Sequence, residues 1–388
     1  MHIFKNSPKN TQVPALLPTY APYPFPLLEG SGAVVRDDAG REYLDFYGGH
    51  CVVATGHSHP KVVAAVAEQA EALIFYSAAA RLSVRDAAAQ ALVDFAPSHM
   101  ASVFFCNSGA EANESALKLA VQLTGRARFT AFRGAFHGRT TLALSVTDSP
   151  SLKKGLEPLL APVEFLPFGD LAALEAADFS KSAAVIVEPI QSMAGVSTAS
   201  GGWFATLAEK CRREGTLLIF DEVQTGMGRL GQPFAAQFYG VTPDFITLAK
   251  GIASGVPMGA LLMTADIARA LKSGDLGSTF GGGPLACAAL LATLQVIRDE
   301  ALMANATAQA ERIRAGLKGS MVSEVRGEGL LLGLKAGTHA VALKKRLQEQ
   351  QILVGGSSDP DVLRLMPPLN VSTQAVDALL TAIRGFAL

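Results

Sequence analysis

One stretch of the sequence decides the fold: Leu217-Leu218-Ile219-Phe220-Asp221-Glu222-Val223-Gln224-Thr225-Gly226. Its leading apolar residues predict a buried parallel strand. Two acids and an amide follow at the carboxyl end of that strand, which is where open α/β sheets bind their ligands. We therefore expect the chemistry of the protein at the end of this strand.

A second apolar run places a lysine in a similar position. The run Phe245-Ile246-Thr247-Leu248-Ala249 is followed by Lys250 and Gly251. Apolar surroundings disfavour the ammonium form of a lysine, which suits an amine that forms a Schiff base. With Asp221 on a ring nitrogen and Lys250 on an aldehyde, the two runs predict a pyridoxal-phosphate (PLP) site. Two alternatives stay open from these residues alone: Asp221 as a helix cap or turn residue, and Lys250 as a surface lysine.

The same region contains a glycine pattern that is also found in nucleotide sites. Gly226-Met227-Gly228-Arg229-Leu230-Gly231 matches G-x-G-x-x-G. A dinucleotide site needs this motif to pass directly from a strand into a helix, with an acid about twenty residues further on. Here polar residues intervene, no apolar-periodic helix follows and the acid is missing at that spacing, so we exclude a nucleotide site.

The bulk properties exclude several classes of protein. The 388 residues carry a net charge of −1, with acids and bases interspersed. This balance argues against binding to nucleic acid or to a membrane surface, and no apolar run reaches the length of a membrane span. The amino terminus carries no secretory signal, and the four cysteines show no metal-ligand or C-x-x-C spacing. We therefore expect a cytoplasmic protein with reduced cysteines and no metal.

The order of the predicted elements indicates an α/β fold. From about residue 100 to residue 265, strands alternate with helices, which is typical of a doubly wound, mostly parallel sheet flanked by helices. We expect an N-terminal arm and hairpin at 1–50, a large domain at 51–280, and a linking helix with a smaller α/β domain at 281–388. Within the first part, the proline-rich residues 1–32 predict an extended arm, and residues 34–46 predict a hairpin.

Loops after two other strands contain candidates for cofactor binding. Ser108, Gly109 and Ala110 open a helix, where backbone N–H groups can bind a phosphate; the plainer alternative is an N-cap by Ser108 or Asn107. Phe136 lies between glycines, where it can stack on a flat cofactor or anchor the core.

Two further positions leave their interpretation open. His57 and His59 have a spacing that could suggest a metal, but no third ligand is near, and a capping turn before a helix at 61–74 is favoured. Arg364 lies in an apolar setting, which requires either an anionic ligand or an internal salt bridge.

Together these segments resemble the class III (ornithine/acetylornithine-type) aminotransferases, which are PLP enzymes of fold type I. The resemblance runs from about Tyr20 to the C-terminus. It is carried by motifs in the same order: Gly56-His57-Ser58-His59-Pro60, the block from Asn107 to Glu114, Ala135-Phe136-His137-Gly138-Arg139-Thr140, Glu188-Pro189-Ile190-Gln191, Asp221-Glu222-Val223-Gln224-Thr225-Gly226, Leu248-Ala249-Lys250-Gly251, Ser278-Thr279-Phe280-Gly281-Gly282, and Arg364 before Pro367-Pro368-Leu369. It implies a large PLP-binding domain with a sheet of the seven-stranded type and a smaller C-terminal α/β domain.

The resemblance also implies roles for individual residues. Lys250 would hold PLP, be displaced by the substrate amine and then move a proton, while Asp221 would keep the pyridine nitrogen protonated. The other residues would surround the cofactor: Gln224 near the ring hydroxyl, Val223 and Phe136 on the two ring faces, Ser108, Gly109 and Ala110 at the phosphate, and His137 and Glu188 close by. Thr279 would complete the phosphate site of the neighbouring subunit, which makes a homodimer with shared active sites the working unit.

For substrates, the resemblance assigns Arg364 to the α-carboxylate of glutamate, and Arg139 and Tyr20 to the carboxylate end of an ornithine-like amine. The implied reaction moves the terminal amine of N-acetylornithine, or of a close acylated relative, to 2-oxoglutarate. Alternatives are ornithine, 4-aminobutyrate, a lysine-pathway intermediate or a broad range of ω-amino acids as donor. A different class of alternative is a PLP-fold binding protein without turnover.

Two positions depart from the family pattern. The family commonly has Glu-Pro-x-Gln-Gly-Glu-Gly/Ala-Gly, and its second acid pairs with the arginine that corresponds to Arg364. This chain has Gln191-Ser192-Met193-Ala194-Gly195, so Met193 replaces that acid. We hypothesise that Arg364 is not masked when an ω-amine binds, which would shift preference between the two half-reactions. Gly283 stands where many relatives carry asparagine, and nothing in the sequence explains it.

Overall fold

A seven-stranded sheet forms the centre of the computed structural model, which describes residues 15–17 and 19–386. From one edge to the other its strands are Met100–Cys106, Gly259–Thr264, Phe245–Leu248, Leu217–Asp221, Ser182–Val187, Arg128–Phe132 and Val163–Leu166. All run in one direction except Gly259–Thr264, which is antiparallel to both of its neighbours. The predicted α/β fold with a mostly parallel, seven-stranded sheet is confirmed.

The middle strands are apolar because both faces of the sheet are covered. Every residue of Ser182–Val187 and of Phe245–Leu248 is buried. The strand Leu217–Asp221 lies between these two, and its Asp221 is paired in register with Thr247. Lys250 follows shortly after Thr247 in the chain, so this pairing brings the predicted acid and the predicted lysine to the same edge of the sheet.

Helices cover both faces of the sheet and form much of the C-terminal part. Their bounds are Pro60–Ala72, Ser83–Phe95, Gly109–Thr124, Thr141–Val146, Pro150–Lys153, Leu171–Ala176, Gly201–Glu214, Ala235–Tyr239, Ala265–Ala270, Pro284–Asp299, Leu302–Leu317, Ala340–Glu349 and Thr373–Arg384. Local sequence explains the bounds of Gly109–Thr124, which begins where Ser108 accepts a hydrogen bond from the N–H of Glu111 and ends at Gly125, with φ +67°. In the described part of the chain, every helix is too short or too polar to cross a bilayer.

The predicted N-terminal hairpin is present and belongs to a larger sheet. Val34–Asp37 pairs with Glu42–Asp45, Leu27–Ser31 extends the sheet on one side, and Ile352–Leu353 adds a parallel strand on the other. The extended arm expected at 1–32 is therefore partly a paired strand, and residues 1–14 and 18 lie outside the described residues. Two further sheets comprise Glu324–Glu328, Leu331–Lys335 and Val362–Leu365, and Ile190–Gln191 with Ser197–Thr198.

Packing connects the three parts expected from the sequence. Pro284–Asp299 packs against Pro60–Ala72 and Ser83–Phe95, although a boundary was expected before it. One apolar cluster includes Phe46 and Leu290 and so spans both expected boundaries. Since the packing runs across both boundaries, the division of the chain into domains at residues 50 and 280 stays a prediction.

Candidate active site

A cavity of about 260 Å³ opens at the carboxyl ends of the central strands. It is lined by Gly109, Ala110, Asn113, Phe136, His137, Gly138, Arg139, Glu188, Asp221, Val223, Gln224, Ala249 and Lys250. Most of the residues singled out in the sequence therefore meet in one place. Ser108, Thr279, Tyr20 and Arg364 are the predicted site residues that do not line this cavity.

The carboxylate of Asp221 is held by groups from three other parts of the chain. Its Oδ2 lies 2.7 Å from Nδ1 of His137 and accepts a 2.7 Å hydrogen bond from Nδ2 of Asn113. Its Oδ1 accepts from the N–H of Val223 at 3.1 Å, and Asn113 is itself fixed by Thr247 Oγ1 at 2.6 Å. Asp221 is buried, so it is neither a solvated turn residue nor a helix cap. This network gives the carboxylate one fixed orientation toward the cavity.

Lys250 borders the cavity from a strained position. Its φ of +47° lies in the left-handed region, which non-glycine residues rarely adopt and which is concentrated at functional sites. Burial lowers the pKa of its ammonium group, against the opposing charges of Asp221, Cys51 and Glu188. The lysine is therefore not a surface residue, and a larger fraction of its amine is neutral than in an exposed lysine.

Glu188 supplies a second acid at the cavity wall. Its Oε1 accepts a 2.8 Å hydrogen bond from the N–H of Phe136, and this bond fixes the loop that carries Phe136. Burial raises the pKa of Glu188 to about 7, with His137 opposing the shift and Asp221 reinforcing it. Glu188 therefore keeps its proton to a higher pH than an exposed glutamate does.

The start of the helix Gly109–Thr124 forms a cradle for an anion. Ser108 is the N-cap, as one of the two interpretations expected, and its Oγ lies 3.2 Å from the N–H of Glu111. The first N–H groups of a helix have no partner within the helix and carry the positive end of its dipole. A Cβ at Gly109 would lie 2.9 Å from the side chain of Val223, so only glycine fits the close approach of this turn to the cavity.

Two unpaired polar atoms in the cavity wall indicate a ligand with polar groups of its own. Nε2 of His137 and Oε1 of Gln224 are buried and have no hydrogen-bond partner among the described residues. A buried polar atom without a partner is unfavourable, and both residues line the cavity. With the anion cradle and the fixed carboxylate of Asp221, these atoms fit the ring and phosphate of PLP.

Arg364 is buried close to this cavity, and the described part of the chain offers it no acidic partner. Its guanidinium donates to Gly356 O at 2.5 Å and to Ser192 Oγ at 2.9 Å. No carboxylate among the described residues lies within 4.0 Å of it, which removes the internal salt bridge as an explanation. Burial lowers the pKa of this guanidinium. A buried cation without a counter-charge is costly, so the position calls for an anionic ligand.

The remaining predicted residues are exposed. Arg139 lines the cavity and also a neighbouring one of about 550 Å³. Tyr20 is 66% exposed, with its ring centroid 5.5 Å from that of His50. Thr279 is exposed and lies outside the cavity of its own chain.

The two histidines considered for a metal bind different carboxylates. Nε2 of His57 lies 2.7 Å from Asp45 Oδ2, and that of His59 lies 3.2 Å from Glu300. His59 directly precedes the helix Pro60–Ala72, as the capping interpretation expected, although its side chain makes no capping bond.

Sequence reasoning missed two residues that organise the site. Asn113 lies one helical turn beyond Gly109, which was a usable signal, because an amide on the buried face of a helix needs a specific partner. Ser192 gave no such signal, since only the fold brings it to Arg364.

PLP chemistry needs a lysine with a lowered pKa and a carboxylate held in a fixed orientation, and Lys250 and Asp221 provide both. The sheet that carries them is that of the PLP-dependent transferases. The chain belongs to the class III aminotransferases, since the family model for Aminotransferase class-III matches residues 18–386. It is therefore a PLP-dependent transaminase, which acts between an amino donor and a keto acid.

Several relatives are similar over nearly the whole chain. The acetylornithine aminotransferase of Methanopyrus kandleri is 43% identical over 369 residues, which are 94% of this chain and 95% of that protein. That of Streptomyces coelicolor is 43% identical over 95% of this chain and 92% of its own. The solved structure of the ornithine aminotransferase from Toxoplasma gondii superposes with a TM-score of 0.89 at 33% identity, covering 95% of this chain and 91% of that one.

Proposed function

We propose that this enzyme transfers the terminal amino group of N-acetylornithine, or of a close acylated relative, to 2-oxoglutarate. The products are the corresponding semialdehyde and glutamate. The observation that carries the proposal is the buried guanidinium of Arg364, which has no acidic partner in the described chain and lies close to Lys250. The names of the relatives support acetylornithine as the donor.

The residues of the cavity provide the groups that such a transfer needs. When bound, PLP supplies an aldehyde for the substrate amine and a ring that accepts electrons. Asp221, held by His137 and Asn113, would keep a proton on the ring nitrogen, and Gln224 Oε1 would accept a hydrogen bond from the ring hydroxyl. Phe136 and Val223 would confine the ring between them, and the N-terminus of Gly109–Thr124 would bind the phosphate. Lys250, whose pKa burial lowers, would move a proton from the substrate carbon to the aldehyde carbon of the cofactor.

Two cationic positions explain how one site accepts two different substrates. Arg364 binds the α-carboxylate of glutamate, so that the α-amine faces Lys250. Arg139 and Tyr20 bind the carboxylate end of the longer amine, so that its terminal nitrogen reaches the same point. Glu188 stays beside the cofactor site and fixes the loop of Phe136.

We further propose that the working unit is a cytoplasmic homodimer with shared active sites. Thr279 lies outside the cavity of its own chain, which supports a role in the phosphate site of the partner. Its neighbour Phe280 is 65% exposed and packs 5.1 Å from Phe75, beside Ile74 at 64% and Tyr76 at 52%. Such an apolar patch is typical of an interface between subunits. The four free, buried cysteines support a reducing compartment.

The test is a panel of amine donors given to the purified PLP-loaded enzyme. Acetylornithine should convert the cofactor, seen as loss of its visible absorbance, and 2-oxoglutarate should restore it. We expect the highest kcat/KM for acetylornithine among acetylornithine, ornithine, 4-aminobutyrate and acylated lysine derivatives. A higher value for an unacylated donor would replace the proposed substrate, and absence of any conversion would favour a binding protein.

A further inference from the structure

Tyr47 and His50 form a hydrogen-bonded pair near Lys250 that none of the roles above uses. The hydroxyl of Tyr47 lies 3.1 Å from Nε2 of His50 and closer to Nδ1. The centroids of the two rings are 4.7 Å apart, and the centroid of the Tyr20 ring lies 5.5 Å from that of His50. The pair is therefore in contact with a residue that already belongs to the proposed substrate site.

The backbone that carries the pair is strained and firmly anchored. Gly48, Gly49, His50 and Cys51 all have φ between +55° and +69°. The preceding turn is held because the N–H groups of Tyr47 and Gly48 both donate to Asp45 at 2.8 Å. Strain of this kind persists where the surrounding structure enforces it, and it is concentrated at functional sites.

The fold places Tyr47 against the backbone that carries Arg364. A Cβ at Gly355 would lie 2.7 Å from the ring of Tyr47, so the ring packs directly on that glycine. Gly355 and Arg364 exchange two backbone hydrogen bonds of 2.9 Å, and the next residue, Gly356, accepts from the guanidinium. Tyr47 and the guanidinium of Arg364 therefore contact two adjacent residues of the main chain, Gly355 and Gly356.

Among the described residues no carboxylate pairs directly with the guanidinium, although Glu188 acts on it from further away. Burial lowers the pKa of His50, and the charges of Arg364 and Lys250 lower it further. Burial raises the pKa of Tyr47, with Arg364 opposing. Ser192 contributes only a hydroxyl, and Met193 stands where the family has an acid. The positive charge of Arg364 is therefore left for a ligand.

Hydrogen counting shows that the pair has a donor to spare. A neutral imidazole carries one N–H and a phenol one O–H. When Tyr47 donates its O–H to Nδ1, the nearer ring nitrogen, the single N–H of the neutral imidazole is on Nε2 and remains for a ligand. The guanidinium has five N–H groups, and its contacts with Gly356 and Ser192 leave several unused.

We propose that His50, positioned by Tyr47, is a second donor to the carboxylate that Arg364 binds. The ligands it recognises are α-amino and 2-oxo acids, whose carboxylate is next to the reacting carbon; an ω-amine has no carboxylate there. The pair therefore acts in the glutamate half-reaction and not in the half-reaction of the amine donor. This inference rests on the proposed function, because it divides the two half-reactions between different residues.

Three substitutions test it. His50→Gly removes the ring and suits the left-handed backbone, and His50→Asn also tolerates that backbone while it keeps an N–H donor. Tyr47→Phe removes the hydroxyl and keeps the ring that packs on Gly355. Loss of a hydrogen bond to a charged group predicts about a 10-fold or larger rise in the KM for 2-oxoglutarate in His50→Gly. Tyr47→Phe should show a smaller rise, and His50→Asn a value near wild type.

The measurements separate this inference from the proposed function. Calorimetric binding of glutarate, a dicarboxylate that cannot react, should weaken in His50→Gly in parallel with KM, whereas the amine half-reaction should change by less than about threefold. An equal effect on both half-reactions, or an effect on the amine alone, would overturn the inference. If the wild-type enzyme transfers no amino group from any donor, the proposed function fails, and the glutarate measurement still decides the role of His50.

Discussion

Nδ1 of His137 lies 2.7 Å from Oδ2 of Asp221, and both side chains are fully enclosed. The histidine therefore fixes the orientation of the carboxylate and leaves its own Nε2 for a ligand. Asn113 holds the same oxygen from the helix that begins the anion cradle. The proposed ring site and the proposed phosphate site therefore share one hydrogen-bond network.

Replacing Asp221 by asparagine should lower kcat far more than replacing His137, which holds the Asp221 carboxylate in place. An amide cannot stabilise a protonated ring nitrogen, so Asp221→Asn should lower kcat by roughly 100-fold or more. His137→Asn should cost less, because Asn113 and Val223 still hold the carboxylate. Steady-state kinetics of both variants, with the absorbance of bound PLP as a check on loading, test this order. An equal loss in both would mean that Asp221 has no special role.

Glu222 makes stability depend on pH, although it lies outside the cavity. Its carboxylate accepts from the N–H groups of Ala235 and Ala236 at 2.6 and 2.9 Å, and burial raises its pKa from 4.5 to about 7. Between these two pH values the folded protein holds a proton that the unfolded chain has lost. The stabilising contribution of Glu222 is therefore complete below about pH 4.5 and falls as the pH rises through about 7.

Comparison with Glu222→Gln isolates this effect from all other titrating groups. The free energy of unfolding of the wild type, relative to that of the variant, should fall by an amount on the order of 3 kcal/mol between pH 5 and pH 8. Urea unfolding at both pH values measures it. The same difference between wild type and variant at both pH values would show that Glu222 ionises normally.

Introducing an acid at position 193 should mask Arg364. Among the described residues, the guanidinium donates to Ser192 Oγ and to Gly356 O. In Met193→Glu the new carboxylate would compete with the α-carboxylate of glutamate, so the KM for glutamate should rise several-fold relative to that for the ω-amine. Met193→Gln, of similar size and without charge, is the control. If the ratio of glutamate to ω-amine turnover stays the same in Met193→Glu, the missing acid does not influence substrate choice.

Mixed dimers test whether the active sites are shared. Lys250→Ala lacks the reactive amine, and Thr279→Ala should weaken PLP binding if Thr279 completes the site of the partner. In a mixed dimer of these two variants, one site has its own Lys250 and receives Thr279 from the other chain. Activity at low PLP concentration should therefore recover on mixing, to about half of the wild-type value per dimer. No recovery, with mixed dimers verified by mass, would place Thr279 in its own site or in none.

The sequence predicted the central elements of the site well because their signals are local. The apolar run before Lys250 and the small residues after Asn107 each mark a strand end or a helix start. The strand Gly259–Thr264 was not identified, and nothing local shows that it runs against the others. The pairing of Ile352–Leu353 with Glu42–Asp45 joins segments that are far apart in the chain, which local patterns cannot reveal.

Contacts within the site were the least predictable part. His137 and Asn113 reach Asp221 only because three strand ends and a helix meet. The resemblance indicated that Arg364 would lack its usual acid, but the hydroxyl of Ser192 that contacts it became visible only in the fold. The sequence gives no sign of a role for Tyr47 and His50, because an aromatic residue and a histidine near glycines occur in protein cores as well as in binding sites.

Covalent attachment of PLP to Lys250 is the central claim, and reductive trapping tests it most directly. Borohydride converts a carbon–nitrogen double bond into a stable secondary amine, and peptide mapping then identifies the modified residue. We expect one modified peptide, with the cofactor on the side chain of Lys250, and no trapping in Lys250→Ala. Attachment to another lysine, or bound PLP that borohydride fails to fix at position 250, would contradict it.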